Sequence, residues 1–294
     1  MAEERRLAVI VNPTAGGGRA IEALPRIRSE LERLGVDFRV VEARNAEHAR
    51  EEAATAAERG ETVAALGGDG LLGTVAGVLC GTESALAILP GGRGNDLARV
   101  LGVPVEPEAA ARLAVEGEER LIDVAEVDGR PYVGIASCGF DSEANRIANE
   151  AKLVRGNLVY LYAALRALAA WKHATFEVTV DGQRHTVTGY SVIVANSKAY
   201  GGGMYVVPHA ELDDGRLDVM LSSATSKLSF LRNLPKLFKG THVDDPNVSF
   251  VSGHEVEVSA DRPFTVYADG DPIGELPARI RVATRVLRVI VPRS

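Results

Sequence analysis

Three times before residue 100, a short apolar run drives straight into a glycine-rich turn: "LAVIVNPTAGGGRA" at 7–20, "TVAALGGDGLLGTV" at 62–75 and "LAILPGGRGNDLAR" at 86–99. Each run is apolar without alternation, the pattern of a strand buried on both faces, and such strands pair in parallel between layers of helices. The intervening segments supply those helices. Ile21, Leu24, Ile27, Leu31 and Leu34 recur at spacings of three and four and predict a helix over about 18–34. "VDFRVVEA" reads as a further strand, and the alanine-rich "NAEHAREEAATAAERG" as a helix closed by Gly60. The expected fold class is α/β with a parallel sheet, its three glycine turns at the carboxyl ends of strands and therefore along one sheet edge. Turns of this kind present backbone N–H groups and the positive end of a helix, which suits phosphate.

Beyond about Leu121 the rhythm changes. "FEVTVDGQRHTVTGYSVIVAN", "GRLDVMLSS", "HEVEVSA", "PFTVYADG" and "ARIRVATRVLRVIVP" alternate apolar with polar residues and are joined by Asp-Gly and Gly-rich turns, which predicts an antiparallel β-sandwich. Two helical insertions, "LVYLYAALRALAAWKH" and "KLSFLRNLPKLFKG", interrupt it. The 294 residues thus divide into an α/β domain over 1–122 and a β domain over 123–285, with a last strand over about 286–294 that could return to the first.

A net charge of −7 weighs against nucleic-acid binding, which needs a concentrated positive surface, so any membrane contact must be local. Cys80 and Cys138 imply neither a disulfide framework nor a thiolate metal cage, and fit a reducing cytoplasm. The first apolar run is too brief for a secretory or membrane-spanning segment. The six histidines show no ligand spacing and read as surface or packing residues.

The chemistry-bearing residues sit in the glycine turns. In the first, Arg19 could add charge to the amides, and no Gly-Lys-Ser/Thr follows, so it is not a Walker loop. In the second, Asp69 can act through Mg²⁺ on nucleotide phosphates or accept hydrogen bonds that order the loop. The third adds Arg93, Asn95 and Asp96. Three such turns at one edge form a cradle.

"NPTAGGG", "GGDG", "LPGGRGND", "GFD" at 139–141, "GGGMYVVPHAELDDGRLDV" at 201–219 and "ADGD" at 268–271 stand in the order of the diacylglycerol kinase catalytic-domain family, which this chain resembles over nearly its whole length. The soluble bacterial members of that family are related to sphingosine kinases and more distantly to NAD kinases. The resemblance implies a two-domain, ATP- and Mg²⁺-dependent lipid kinase, with nucleotide on the α/β domain and lipid on the β domain. Nucleotide contacts carry over to Asn12, Pro13, Thr14 and Ala15, to Gly68, Asp69, Gly70, Leu71, Leu72, Gly73 and Thr74, and to the turn holding Arg93 and Asn95. The family's general base matches Asp271, with Asp69 as a second catalytic carboxylate. Its structural Mg²⁺ site matches Asp214, with main chain at Glu211 and Arg216. The chain departs from the family pattern in Leu71 for Thr, Gly73 and Thr74 for Asn-Glu, Arg93 for Thr, and Asp271 for Glu. The last withdraws the carboxylate by one methylene, about 1.5 Å, where about 1 Å of misplacement can cost on the order of a hundredfold in rate.

The reaction implied is phosphorylation of a lipid primary hydroxyl, diacylglycerol to phosphatidic acid, in phospholipid biosynthesis. Other readings are a sphingoid-base or other glycerolipid kinase, a NAD-kinase-like enzyme, or a catalytically weak nucleotide-binding relative. The "LPGGRGND" and "ELDDGRLDV" segments favour the lipid kinases over NAD kinases. The expected location is cytoplasmic, with transient contact at the inner membrane face, and a homodimer is left open. "KLSFLRNLPKLFKG" sets Leu228, Leu231 and Leu234 toward one side with Lys227, Arg232, Lys236 and Lys239 available to anionic headgroups; the other reading is a helix packed on the sandwich with a solvated basic face. Pro235 is expected to break or kink it.

Overall fold

The computed structural model describes residues 5–150 and 158–293; Met1–Glu4 and Ser294, at the ends of the expected segments, lie outside the described residues. Strands β1 (Leu7–Val11), β2 (Phe38–Glu42), β3 (Thr62–Gly67) and β4 (Leu86–Pro90) alternate with helices α1 (Arg19–Arg33), α2 (Ala46–Glu58) and α3 (Asp69–Leu79), and then α4 (Asp96–Val100) and α5 (Pro107–Glu116) follow. The strands pair in parallel in the order β2-β1-β3-β4. β1 is buried along its whole length because it serves two layers. Leu7, Val9 and Val11 pack with the apolar stripe of α1 and with α5, while Ala8 and Ile10 pack with α2 and α3 on the other face. Strand direction brings the β1, β3 and β4 turns to one edge.

The second lobe starts with β5 (Glu118–Val127), which runs through the expected boundary at 122, and continues with β6 (Arg130–Tyr132), β7 (Ile135–Gly139), α6 (Phe140–Glu150), α7 (Leu158–Ala170), β8 (Ala174–Val180) and β9 (Gln183–Ala195). It ends with β10 (Leu217–Ser223), α8 (Lys227–Leu237), β11 (Val248–Gly253), β12 (Glu255–Ala260), β13 (Thr265–Ala268), β14 (Asp271–Glu275) and β15 (Ala278–Val291). Alternate residues of β8, β9, β10, β12 and β15 share one core, among them Phe176, Val178, Val192, Val219, Val256 and Ile280. β15 pairs antiparallel with β12 and β5, and its far end pairs parallel with β4 at Val289 and Leu86. The two lobes therefore share one hydrogen-bonded strand path.

Three expectations about helices need correction. α5 and α6 were not anticipated, although α5 opens with Pro107 at its first turn and α6 buries Phe140 and Ile147 against α7. α8 continues through Pro235, because that residue lies in the last turn, where only one interior hydrogen bond is forfeited. Leu228 does not share a side with Leu231 and Leu234: those two are half-buried, whereas Leu228 is 69% exposed. His242 is one of the packing histidines; it is buried, with Nε2 2.7 Å from the Val206 carbonyl oxygen.

Candidate active site

The glycine loops touch backbone to backbone. A Cβ on Gly92 would stand 2.5 Å from Gly68 Cα, and one on Gly16 would stand 2.4 Å from the Gly91 carbonyl oxygen at a φ of +64° that side chains resist. Arg19 does not project a free charge into the cleft; its Nη1 donates to the Gly92 carbonyl and ties the first loop to the third. Asn12 Oδ1 accepts from the Thr14 amide and hydroxyl, and Asn95 Oδ1 accepts from the Gly92 amide. The loops thus hold one another without filling the space above them.

That space is a cleft of about 610 Å³ running from the carboxyl end of β2, at Ala43–Asn45, to the β13–β14 turn of the other lobe. Asn12, Pro13, Thr14, Ala15, Gly68, Asp69, Gly70, Leu71, Thr74 and Arg93 all line it, with Asp269, Gly270 and Asp271 opposite. A second cavity of about 270 Å³ shares Asp69, Arg93, Gly94, Asp269 and Gly270 with the first and continues to Asp96, Asn145, Tyr200 and Phe238. Leu72 and Gly73 face this second cavity, and Asn95 lines neither. Ser197, whose hydroxyl is buried without a partner, also lines the second cavity.

Asp69 and Asp269 form the wall shared by the two cavities, and Asp271 joins them on the side of the first. Asp69 Oδ1 accepts from the amides of Asp96 and Leu97. Burial, then the neighbouring charges of Asp96 and Asp269, push its carboxyl up to about 6. Asp269 accepts from three consecutive amides, Val133, Gly134 and Ile135, at 3.0–3.1 Å; burial still raises its carboxyl above the ordinary range. Gly134 permits this, since a Cβ there would stand 2.4 Å from Asp269 Oδ1. Asp271 follows the left-handed Asp269 and Gly270 in a tight hairpin turn. Its Oδ2 lies 3.2 Å from where a Cβ on Gly70 would sit, so it overhangs the first turn of α3, and the surrounding walls raise its carboxyl too. No ion pair is made by any of the three among the described residues, so backbone amides are what offset the charges of Asp69 and Asp269.

The sequence reading did not assign a role to Asp269, nor to the interlobe bond made by Asp96. Asp96 is buried and its two oxygens accept from the Gly202 and Gly203 amides of the second lobe. Asp141 accepts from the Tyr200 hydroxyl, and burial raises its carboxyl.

Away from the cleft, Asp213 is held by Arg120, while Asp214 has one oxygen on the Arg216 amide. Burial, then Asp218, Asp123 and Glu211, raise the Asp214 carboxyl. This unbalanced negative charge suits a hard cation, although no group of three ligating side chains gathers anywhere among the described residues.

Comparison with known proteins accords with this geometry. Residues 6–127 match the model of the diacylglycerol kinase catalytic domain, and residues 134–291 match that of the YegS C-terminal NAD kinase beta sandwich-like domain. A Mycobacterium tuberculosis protein named diacylglycerol kinase is 33% identical over 98% of this chain and 96% of its own length. A Bacillus subtilis protein of the same name is 26% identical over 99% and 97%. A crystal structure of a Bacillus anthracis diacylglycerol kinase superposes with a TM-score of 0.78 at 23% identity, over 99% of this chain and 98% of that one, a likeness of fold.

Proposed function

The chain belongs to the diacylglycerol kinase family and is a lipid kinase, and from that premise we propose that it transfers the γ-phosphoryl group of ATP to the primary hydroxyl of diacylglycerol, giving phosphatidic acid. The observation that carries this reading is the acidic wall shared by two cavities, one lined by glycine-loop amides and one by the second lobe. The triphosphate would lie along the amides, with Arg93 beside it; the lipid hydroxyl would enter from the second cavity. Phosphoryl transfer needs alignment, charge neutralisation and a proton acceptor.

Asp69 is the better placed acceptor, because it lines both cavities, keeps Oδ2 free of the amides that hold Oδ1, and is ionised yet basic near neutrality. The hydroxyl oxygen bonds to the γ-phosphorus, the bond to the leaving ADP oxygen breaks, and the hydroxyl proton passes to Asp69. Asp271 lies on the nucleotide side only, where it would help hold a Mg²⁺ ion that, when bound, would supply positive charge against the transferred group. Asp269 is saturated by amides and serves as a clamp. A second Mg²⁺ would be held by Asp214 with main chain at Glu211 and Arg216, as a structural ion.

The test is radiolabelled ATP with diacylglycerol, a sphingoid base and NAD as parallel acceptors in mixed micelles. Label in phosphatidic acid is expected. Label only in another acceptor overturns the substrate, and no transfer to any lipid overturns the mechanism.

A further inference from the structure

Two of the arginines around the third glycine loop are committed to its backbone. Arg19 Nη1 donates to the Gly92 carbonyl and Arg99 Nη2 to the Gly94 carbonyl, one on each side of Arg93. The Gly92 amide donates to Asn95 Oδ1 and the Asp96 amide to Asp69 Oδ1, each at 2.9 Å. Gly94 is pressed against the acids: a Cβ there would stand 2.9 Å from Asp69 Oδ2 and 3.0 Å from Asp96 Oδ2. The main chain at Arg93 is therefore held from both sides. Its side chain is not, because the guanidinium is exposed and makes no hydrogen bond or ion pair among the described residues.

Arg28, Arg59 and Arg184 also lack an ion pair among the described residues, so a missing partner alone assigns nothing. What sets Arg93 apart is its place. Five residues line both cavities, namely Asp69, Arg93, Gly94, Asp269 and Gly270. Two of them have no side chain and two are acids, which leaves Arg93 as the cation of the junction. Arg44, the other cation of the first cavity, stands at its far end beside β2, and among the described residues no lysine or arginine but Arg93 lines the second. A group handed from a ligand in one cavity to a ligand in the other has to cross at this junction. A phosphoryl group in transit spreads negative charge over its outer oxygens, and Asp69 and Asp269 face it with charge of the same sign. A planar guanidinium meets two such oxygens at once.

We propose that Arg93 holds the phosphoryl group in transit. It contacts the γ-phosphate of bound ATP and, once the lipid oxygen has bonded to phosphorus and the bond to ADP has broken, the phosphomonoester of the lipid product. The glycine-loop amides keep the other two phosphates. This assignment rests on the kinase reading of the site and makes Arg93 a catalytic residue shared by substrate and product; the neutral acceptor, which carries no phosphate, gains nothing from it.

The test is Arg93→Ala and Arg93→Lys in the full chain, assayed with a water-dispersed short-chain diacylglycerol and by calorimetry with ATP and ADP, magnesium present throughout. Arg93→Ala should lower kcat at least about a hundredfold, as for one lost preorganised donor, and leave the KM for diacylglycerol within about twofold. ATP binding should weaken about tenfold and ADP binding hardly at all, because only ATP reaches the junction. Inhibition by the short-chain phosphatidic acid product should require about tenfold more of it than in wild type. Arg93→Lys keeps the charge and loses the fork, so it should restore only part of the turnover. Both variants should melt with wild type in the absence of nucleotide, since the side chain has no partner to release. Equal losses for ATP and ADP, an unchanged kcat or unchanged inhibition by the product overturns the proposal. If the wild type phosphorylates no lipid, the kinase reading fails, and the comparison of ATP with ADP still judges the contact between Arg93 and the γ-phosphate.

Discussion

Replacing Asp69 by Asn separates what this carboxylate costs the fold from what it contributes to turnover. An asparagine oxygen can still accept the Asp96 and Leu97 amides, so the loop keeps its shape. What disappears is a charge held in a half-buried acidic wall, where burial, Asp96 and Asp269 raise the carboxyl from 3.8 to about 6. Because the folded-state value is the higher, the native state prefers the protonated acid. Near pH 4 and below the penalty is nearly absent; as pH climbs toward 6 the unfolded chain ionises first and stability falls; above 6 the full penalty stands. A difference of about two pH units at about 1.4 kcal/mol each makes this about 3 kcal/mol. Urea unfolding should therefore find Asp69→Asn more stable than wild type at pH 8 by up to about 3 kcal/mol, with the gain vanishing near pH 4. Turnover should fall at least about a hundredfold, and the acid limb near pH 6 should leave the pH–rate profile. A variant no more stable at pH 8, a gain that persists unchanged at pH 4, or near-normal turnover would refute the reasoning.

Other sites give equally direct outcomes. Asp271→Asn should lower kcat at least about a hundredfold and raise the Mg²⁺ concentration needed for half-maximal rate; an unchanged Mg²⁺ titration would remove Asp271 from the phosphate side. Gly16→Ala, which drives a Cβ against the Gly91 carbonyl, should weaken ATP binding at least about tenfold by calorimetry. Gly134→Ala should break the three-amide clamp on Asp269 and cost about 2–3 kcal/mol in chemical denaturation, with wild-type stability contradicting the clamp. Chelation should lower the melting temperature of wild type and leave Asp214→Ala unmoved if Asp214 holds a structural ion.

The first lobe was legible because its information is local. Unbroken apolar runs, a three-and-four spacing from Ile21 to Leu34, and glycines closing each strand fix elements and their order within a few residues. The acidic wall was only half legible. Asp69 and Asp271 stand in recognisable turns, but Asp269 acts on amides near residue 134 and Asp96 on amides near residue 202. Pairings at that separation leave no periodicity, and their one trace is a small residue, such as Gly134, where a carboxylate must approach. α6 left a local signal in Phe140, Ala144, Ile147 and Ala148, masked because the helix opens directly off β7. The orientation of Leu228 was not recoverable, since a three-residue spacing alone does not say which turn of a helix overruns the surface beneath it.

β15 has a consequence for how such a molecule comes into being. The outer edge of β4 is finished by Val289, a residue made long after Leu86 has left the ribosome. During synthesis the first lobe waits with an open ladder beside β4, a place where a stray strand could add. Its own partner arrives only after the entire second lobe has been made, so closing that edge depends on the last strand of the chain.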